Sequence, residues 1–456
     1  MQKTPRNILL TVIAFLVVSS AAVTVPAEFQ DLYPVLQSEL SSYIGTVHSV
    51  WKGSKSPVLF GAELIPADDY DAIYNAARNN QLNSYYDQFM TPYINGLQTV
   101  GVKSVKFLIH FPLLYQPFYT NYLGDTNGTA YNNLIAFYQK LVNDLHGRGI
   151  AVIIQSQVQP AGNGPLTGDP LNLAAYYQSL SFSQHIQGRA QNALTIALQL
   201  KPDILNVSPE PDTEGGKSGR AELMPRPENP NFAGNVQQIQ STILRTLTAA
   251  NIPGLHTRMK LAVGMGTWER DLPTILRNET SMAGVDVIDI HVHLINTIRT
   301  KNFLTEILTI ADAAHAAGKA TGMDEDWEFK QRDSELSRGG YGRGGVPMSV
   351  IDARDHWSFW APVDQAFLEA MVDTAYYEKM LYFDASEPNQ FFAYLDYSNT
   401  PGCDTNSFRG GAPSLVCSPK QWNAASYRAV YQSLGSSPAT LTSTGAFYRK
   451  LIQANP

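Results

Sequence analysis

A repeating alternation of short apolar runs and amphipathic helices constrains the fold of this 456-residue chain more than any other feature. Between the runs lie segments with apolar residues at helical spacing, such as Leu134, Phe137, Leu141 and Leu145. Strands that alternate with helices pair in parallel, because a parallel crossover needs a connection of helix length. Eight units of this kind predict an α/β fold closed into a (β/α)8 barrel. The eight predicted strands cover residues 58–64, 104–110, 150–157, 203–210, 260–268, 286–293, 320–327 and 390–397.

An open doubly wound sheet is the competing architecture, and it usually carries a glycine-rich phosphate turn after its first strand. The segment Gly61-Ala62-Glu63-Leu64 is not such a turn. Gly216-Lys217-Ser218 does not complete a phosphate-binding loop either, because position 211, where the leading glycine would fall, is proline. The barrel is therefore favoured, with a helix over residues 29–51 before it and extended loops after strand four (212–231) and strand seven (330–364).

The first 27 residues have the pattern of a secretory signal peptide. Lys3 and Arg6 precede an apolar stretch at 8–18, and small residues follow up to Ala27. We therefore predict an exported protein, secreted or periplasmic, in which residues 28–456 form a single barrel domain without stable membrane insertion. A retained membrane anchor is the alternative, although the apolar stretch is short for a bilayer.

Composition narrows the range of partners. A formal net charge of −7 and the lack of a long Lys/Arg run disfavour a nucleic-acid partner. The two cysteines, Cys403 and Cys417, lie close together in a loop rich in Gly and Pro, and in an oxidising compartment we expect them to form a disulfide. We expect the protein to act as a monomer.

Acidic side chains stand at the ends of strands four and seven. Predicted strand four contains Asn206, Ser208 and Glu210, and the alternation of side chains along a strand puts all three on one face. Strand seven ends with Glu325, and its neighbour Asp324 is the alternative at that position. These strands face one another across the barrel mouth, so Glu210 and Glu325 can flank one bond. Cleavage of a glycosidic bond requires such a pair of carboxyl groups.

This layout resembles clan A of the glycoside hydrolases, the 4/7 superfamily. The resemblance covers most of the chain at the level of strand order, and its local motifs are short. It implies that Glu210, followed by Pro211, is the acid/base and that Glu325 is the nucleophile of a retaining double displacement on a carbohydrate. The segment 289–293, at the end of strand six, resembles the His-x-Tyr of the family. Two departures, Pro209 before the acid/base and His293 in place of the tyrosine, indicate a divergent member.

Further side chains at strand ends are expected to line a sugar site, because aromatic rings stack on sugar faces and polar groups bind hydroxyls. No cofactor and no metal are predicted. The predicted substrate-binding residues are Asn206, His110, Tyr115, Trp268, His291, His293 and Trp327.

Two other functions remain open. The departures at Pro209 and His293 fit a barrel that binds carbohydrate without cleaving it. Alternating histidines at a strand end can also hold one cation, so His291 and His293 suit a metal-dependent hydrolase as a less favoured reading.

Overall fold

The computed structural model describes residues 23–51, 53, 55–161, 171–269, 271–293, 303–335, 348–398 and 419–453. In this part of the chain eight strands close into a barrel, and every strand pairs in parallel with the next. The predicted (β/α)8 fold is confirmed. The strands are β1 Leu59–Glu63, β2 Ser104–Leu108, β3 Ala151–Gln155, β4 Ile204–Asn206, β5 Lys260–Gly266, β6 Val287–His291, β7 Ala320–Asp326 and β8 Tyr382–Ala385.

Helices surround the barrel. The predicted N-terminal helix is α1, Tyr33–Val50, which packs against α13, Ala361–Tyr377, where the hydroxyl groups of Tyr43 and Thr374 meet. Gly101 ends α4, Thr91–Val100, in the left-handed region at φ 98°, which glycine adopts without a steric penalty. The helices are α1 Tyr33–Val50, α2 Tyr70–Arg78, α3 Leu82–Tyr85, α4 Thr91–Val100, α5 Thr129–Gly147, α6 Leu173–Ser179, α7 Phe182–Gln199, α8 Pro211–Ser218, α9 Phe232–Ala249, α10 Leu272–Ser281, α11 Phe303–Ala316, α12 Met348–Arg354, α13 Ala361–Tyr377, α14 Pro419–Leu434 and α15 Ser443–Gln453.

The prediction of the eighth strand at 390–397 is wrong. The strand is the four-residue β8, Tyr382–Ala385, and the predicted segment instead begins in a short 3-10 helix, Pro388–Phe391. Its rings make it resemble a buried strand, but they pack outside the barrel: Phe391 stacks on Tyr448 at 5.0 Å. The observed strand is too short and too polar, with Asp384 in its middle, to stand out as an apolar run.

The interior of the barrel changes from apolar to ionisable toward the strand ends. Because side chains alternate along a strand, residues two positions apart share the inner face. The lower layer is a separate apolar cluster of Ile153, Ile204, Ala262, Val287 and Tyr382. The residues two positions further along the same strands are polar or small, and Gln155, Asn206, Asp289 and Asp384 among them are fully buried. The polar upper end is where barrel enzymes place their sites.

The long connections after β4 and β7 fall where they were predicted. After β4, helix α8 and a short 3-10 turn at Ala221–Leu223 precede α9. After β7, the described residues include a 3-10 turn at Asp333–Glu335 and helix α12. The predicted signal peptide and the predicted disulfide fall largely or wholly outside the described residues. Across the described ranges, none of the helices combines the length and apolarity needed to cross a membrane.

Candidate active site

Glu210 lies at the upper end of β4, immediately before helix α8. Its side chain is almost fully buried. Thr213 and Lys217 follow three and seven positions later on the same helix, so one helical face carries both back toward the carboxylate. The Thr213 hydroxyl donates to Oε2 of Glu210 at 2.9 Å, and the Lys217 ammonium lies 3.5 Å from the same oxygen. Helix α8 therefore supplies a hydroxyl and a positive charge to Glu210.

Glu325 lies in an irregularity of β7. Met323 pairs with Phe383 and Asp326 with Ala385, so β7 has one residue more than β8 between these two pairs. Glu325 takes up the extra length in the left-handed region, at φ 57°. A bulge of this kind re-aims side chains, which in a regular strand would alternate between the two faces. Consecutive residues Asp324 and Glu325 consequently both reach the barrel interior.

His291, the last residue of β6, connects the two glutamates. Its Nδ1 lies 3.1 Å from Oε1 of Glu210 and 3.5 Å from Oε2 of Glu325. The carboxylates of Glu210 and Glu325, here called the carboxylate pair, thus meet at one nitrogen although they come from β4 and β7. Their nearest oxygens can be no further apart than the sum of these two distances.

The other nitrogen of His291 faces a second pair of acids. Its Nε2 lies 2.9 Å from Oδ1 of Asp324 and 3.4 Å from Oδ2 of Asp289. Asn206 donates to the same Asp289 oxygen at 2.7 Å, and the Gln155 amide donates to Asp324. All these groups are fully buried. His291 therefore has two carboxylates, of Glu210 and Glu325, facing its Nδ1 and two, of Asp324 and Asp289, facing its Nε2.

These contacts decide the charge of His291. Burial alone would lower its pKa, but hydrogen bonds to Asp289, Asp324 and Glu210 outweigh burial and hold the pKa well above the ordinary value. The ring is therefore an imidazolium, and both of its N–H groups donate to carboxylates.

The carboxylates around His291 differ in charge. Burial would raise the pKa of Glu210, yet the charge of Lys217 and the hydrogen bond from His291 hold that pKa well below its usual range. Burial, followed by repulsion from Glu210, raises the pKa of Glu325 to about 7. Burial and the neighbouring Asp289 likewise raise the pKa of Asp324 to about 7. Close to neutral pH the carboxylate pair thus holds one ionised group and one that is about half protonated.

Three of the predicted substrate residues, Trp268, His293 and Trp327, form one stack of rings. The His293 ring lies between Trp268 and Trp327, at centroid distances of 4.4 and 4.2 Å. Its Nε2 donates to the backbone carbonyl of Glu325, which ties the stack to the bulge of β7. Burial lowers the pKa of His293 to about 3, so the ring is neutral at physiological pH.

Other predicted substrate residues have protein partners. His110 is buried, accepts the backbone N–H of Gln157 on Nδ1 at 3.0 Å, and is held neutral because burial lowers its pKa. Asn206 donates from its amide nitrogen to Asp289 and accepts the N–H of Ser208 on its oxygen at 3.1 Å. Tyr115 is half-buried and packs its ring 5.4 Å from that of Phe111.

Several residues of the site were missed in the sequence. Lys217 donates to Gln157 at 2.6 Å as well as facing Glu210. Its spacing of seven from Glu210 is the signal that could have revealed it, once a helix beginning at Pro211 is assumed. Lys106 is fully buried on β2, and its ammonium group lies 3.2 Å from the Glu63 carboxylate. The sequence feature that could have revealed it is a lysine at an inward-facing position in the middle of a predicted strand.

Within the residues that the structure describes, two groups of side chains bring possible metal ligands within 4.8 Å of one another: Glu210, His291 and His293, and Asp289, His291 and Asp324. Both groups need His291. A histidine ligates a metal through a neutral ring nitrogen, whereas both nitrogens of His291 carry protons that face carboxylates. Either group of side chains therefore fits a cation only after His291 loses the proton from the ring nitrogen that would bind it.

Neither a protein-family model nor a curated protein sequence matches the chain. Among solved structures, it is similar to one from a study of two fungal β-1,4-galactanases, with 11% identity over 78% of this chain and 90% of the other, at a TM-score of 0.40. An endo-β-1,4-mannanase double mutant from Cellulomonas fimi shares 14% identity over 77% of this chain and 68% of the other, at 0.37. A β-glucosidase from Thermotoga maritima in complex with deoxynojirimycin shares 10% over 82% and 99%, at 0.44. All three TM-scores lie below 0.5, and these similarities assign neither a family nor an activity to this chain.

Proposed function

We propose that this protein is a glycoside hydrolase that uses Glu210 and Glu325 to cleave O-glycosidic bonds of an oligosaccharide or polysaccharide. One observation carries the proposal: carboxylates from β4 and β7 converge on Nδ1 of His291, at 3.1 and 3.5 Å. One of them is ionised and the other has a raised pKa, which is the combination that acetal cleavage needs.

The separation of the carboxylates favours retention of anomeric configuration. Retaining enzymes hold the two groups about 5–5.5 Å apart, whereas inverting enzymes leave about 6.5–9.5 Å for a water molecule. Because both oxygens contact one nitrogen, at 3.1 and 3.5 Å, their separation can extend no further than the lower edge of the inverting range, and it allows the retaining range. We therefore propose a double displacement through a covalent glycosyl-enzyme.

A carbohydrate substrate suits the rim of the site. Trp327 is the partly exposed ring of the stack beside the carboxylate pair, and flat rings of this kind pack against the C–H faces of sugars. Trp268 is buried and supports the other face of His293. We propose that the protein is exported to the periplasm or the medium and works there as a monomer, consistent with the N-terminal sequence pattern.

Hydrolysis of a panel of aryl glycosides and polysaccharides by the purified protein tests this proposal. We expect release of the aglycone or of reducing ends, and NMR of the first product should show the anomeric configuration of the substrate. The double variant Glu210→Gln/Glu325→Gln is the control for contaminating activity.

The competing functions give different results in the same assays. Binding of oligosaccharides by a protein that hydrolyses nothing in the panel would indicate a non-catalytic carbohydrate-binding barrel. Loss of hydrolysis on treatment with a chelator, with recovery on adding Zn²⁺, would indicate a metal-dependent hydrolase built on His291 and His293.

A further inference from the structure

We propose that the carboxylate pair exchanges the roles that strand order implies: Glu210 is the nucleophile, and Glu325 is the general acid and base. This inference rests on the proposed glycosidase function. It reverses the assignment implied by the resemblance to clan A, in which the strand-four glutamate donates the proton.

The contacts of Glu210 are those of a carboxylate held in its ionised form. In the described part of the chain, three donors face its two oxygens: the imidazolium of His291 at 3.1 Å, the hydroxyl of Thr213 at 2.9 Å and the ammonium of Lys217 at 3.5 Å. Two of these donors are cationic. Protonation of Glu210 would break ion pairs inside a buried site, where such a loss is costly. A group in this setting is a poor source of protons but an oriented and charged nucleophile.

The contacts of Glu325 are those of a group that can hold and release a proton. Among the described residues, the nearest cationic contact of its carboxylate is His291, at 3.5 Å, and that ring lies closer to Glu210, Asp324 and Asp289. Its side chain is 18% exposed, whereas that of Glu210 is 5% exposed. A general base must reach incoming water in the second step, and Glu325 is the more open of the two.

The charges follow the same division. Burial and the negative charge of Glu210 raise the pKa of Glu325 to about 7, while Lys217 and His291 overcome burial and hold the pKa of Glu210 well below its usual range. A general acid works best when its pKa lies close to the working pH. At neutral pH, only Glu325 of the pair has a proton to give.

The reaction then proceeds in two balanced steps. An oxygen of Glu210 attacks the anomeric carbon and forms an ester bond; the glycosidic C–O bond breaks, and its electron pair goes to the leaving oxygen, which takes the proton of Glu325. In the second step the Glu325 carboxylate takes a proton from water, and the water oxygen attacks the anomeric carbon. The ester bond breaks, and its electron pair returns to Glu210.

Covalent trapping tests the assignment on the full chain. The protein is incubated with a 2-deoxy-2-fluoro aryl glycoside matching an aryl glycoside that it hydrolyses, and the labelled peptide is identified by mass spectrometry. We expect the label on Glu210. A label on Glu325 would overturn the role exchange and leave the glycosidase proposal intact, whereas failure to hydrolyse any glycoside would defeat the glycosidase proposal itself.

Azide rescue gives an independent readout. Glu325→Ala should lose about 10²–10⁴-fold on substrates with poor leaving groups. It should keep most of its first-step rate on activated aryl glycosides, and azide should accelerate it and give a glycosyl azide of retained configuration. Glu210→Ala should lose roughly 10⁴-fold or more on every substrate and give either no azide product or an inverted one.

Glu228→Ala, at an exposed position after α8, is the matched control and should behave as wild type. If Glu210→Ala were the variant that azide rescues with retention, the roles implied by strand order would stand and the exchange would be refuted. Circular dichroism of all three variants shows whether a loss of rate reflects a loss of fold.

Discussion

Glu210 and Glu325 are the same residue type at the same rim of the barrel, yet their surroundings have opposite effects. Glu210 leads into a helix whose next two turns return a hydroxyl and an ammonium group to it. Glu325 lies in a strand bulge, in a left-handed backbone conformation. The backbone carbonyl of Glu325 accepts a hydrogen bond from the His293 side chain, but this bond does not contact the Glu325 carboxylate.

The difference shows that the charge of a carboxyl group here is set by local donors rather than by depth of burial. The more buried side chain, that of Glu210, has the lowered pKa, and the more open one, that of Glu325, has the raised pKa. Burial by itself would give the reverse order. His291 is the group common to both regions, so variants of it should have the largest effect.

His291→Gln should affect both regions at once. It removes a fully buried positive charge and leaves Asp324 and Asp289 without the ion pair to His291, while Glu210 keeps its contact with Lys217. Breaking a buried pair costs about 3–5 kcal/mol. We expect the free energy of unfolding at neutral pH, measured in urea, to fall by about that amount. The orphaned carboxyls would have raised pKa values in the folded state, so the deficit should shrink as the pH falls.

His146→Gln is the control, because the pair between His146 and Asp203 is also a histidine–carboxylate contact, at 2.9 Å, but both side chains are more than one-third exposed. Exposed pairs contribute less than about 1 kcal/mol. Equal losses in the two variants would mean that His291 does not carry a buried charge.

Lys217→Met should act on the Glu210 region alone. Removing the ammonium group 3.5 Å from Oε2 withdraws the largest influence that lowers the pKa of Glu210. Glu210 must be ionised to react, so the acid limb of the pH profile of kcat/KM should move upward by about one unit. The alkaline limb, which we assign to Glu325 with a pKa of about 7, should move less.

Lys103→Met, at an exposed position before β2, is the control and should leave both limbs in place. A Lys217→Met profile in which only the alkaline limb moves would imply that Glu210, and not Glu325, supplies the proton.

Substitutions at position 325 should show the smallest effect, on stability. Glu325 has φ 57°, a region that costs a residue with a Cβ about 1 kcal/mol and glycine almost nothing. We therefore expect Glu325→Gly to be more stable than Glu325→Ala by up to about 1 kcal/mol in thermal unfolding. The same two substitutions at Gln237, exposed in α9, should rank in the opposite order, since alanine stabilises a helix by about 1 kcal/mol over glycine. A matching order at both positions would remove the case for backbone strain in the bulge.

The sequence by itself determined the barrel, because the alternation of strand and helix is a local pattern repeated along the chain. It also placed Glu210, Glu325 and His291 at the same rim of the barrel, with the two glutamates on strands that face one another. Strand order determines this placement, because it fixes which strand ends are neighbours. It misplaced the eighth strand, since the rings of Phe391 and Phe392 give a stronger apolar signal than Tyr382–Ala385, and only packing reveals which segment closes the sheet.

Only the tertiary structure decided the chemistry of the site. The bulge that turns both Asp324 and Glu325 inward depends on how β7 pairs with β8, which lies more than fifty residues further along the chain. The positive charge of His291 depends on acids from three strands, and the lowered pKa of Glu210 depends on a lysine presented by the next helix. Local periodicity carries none of this, because electrostatic interactions are set by distances in space and not by distances along the chain.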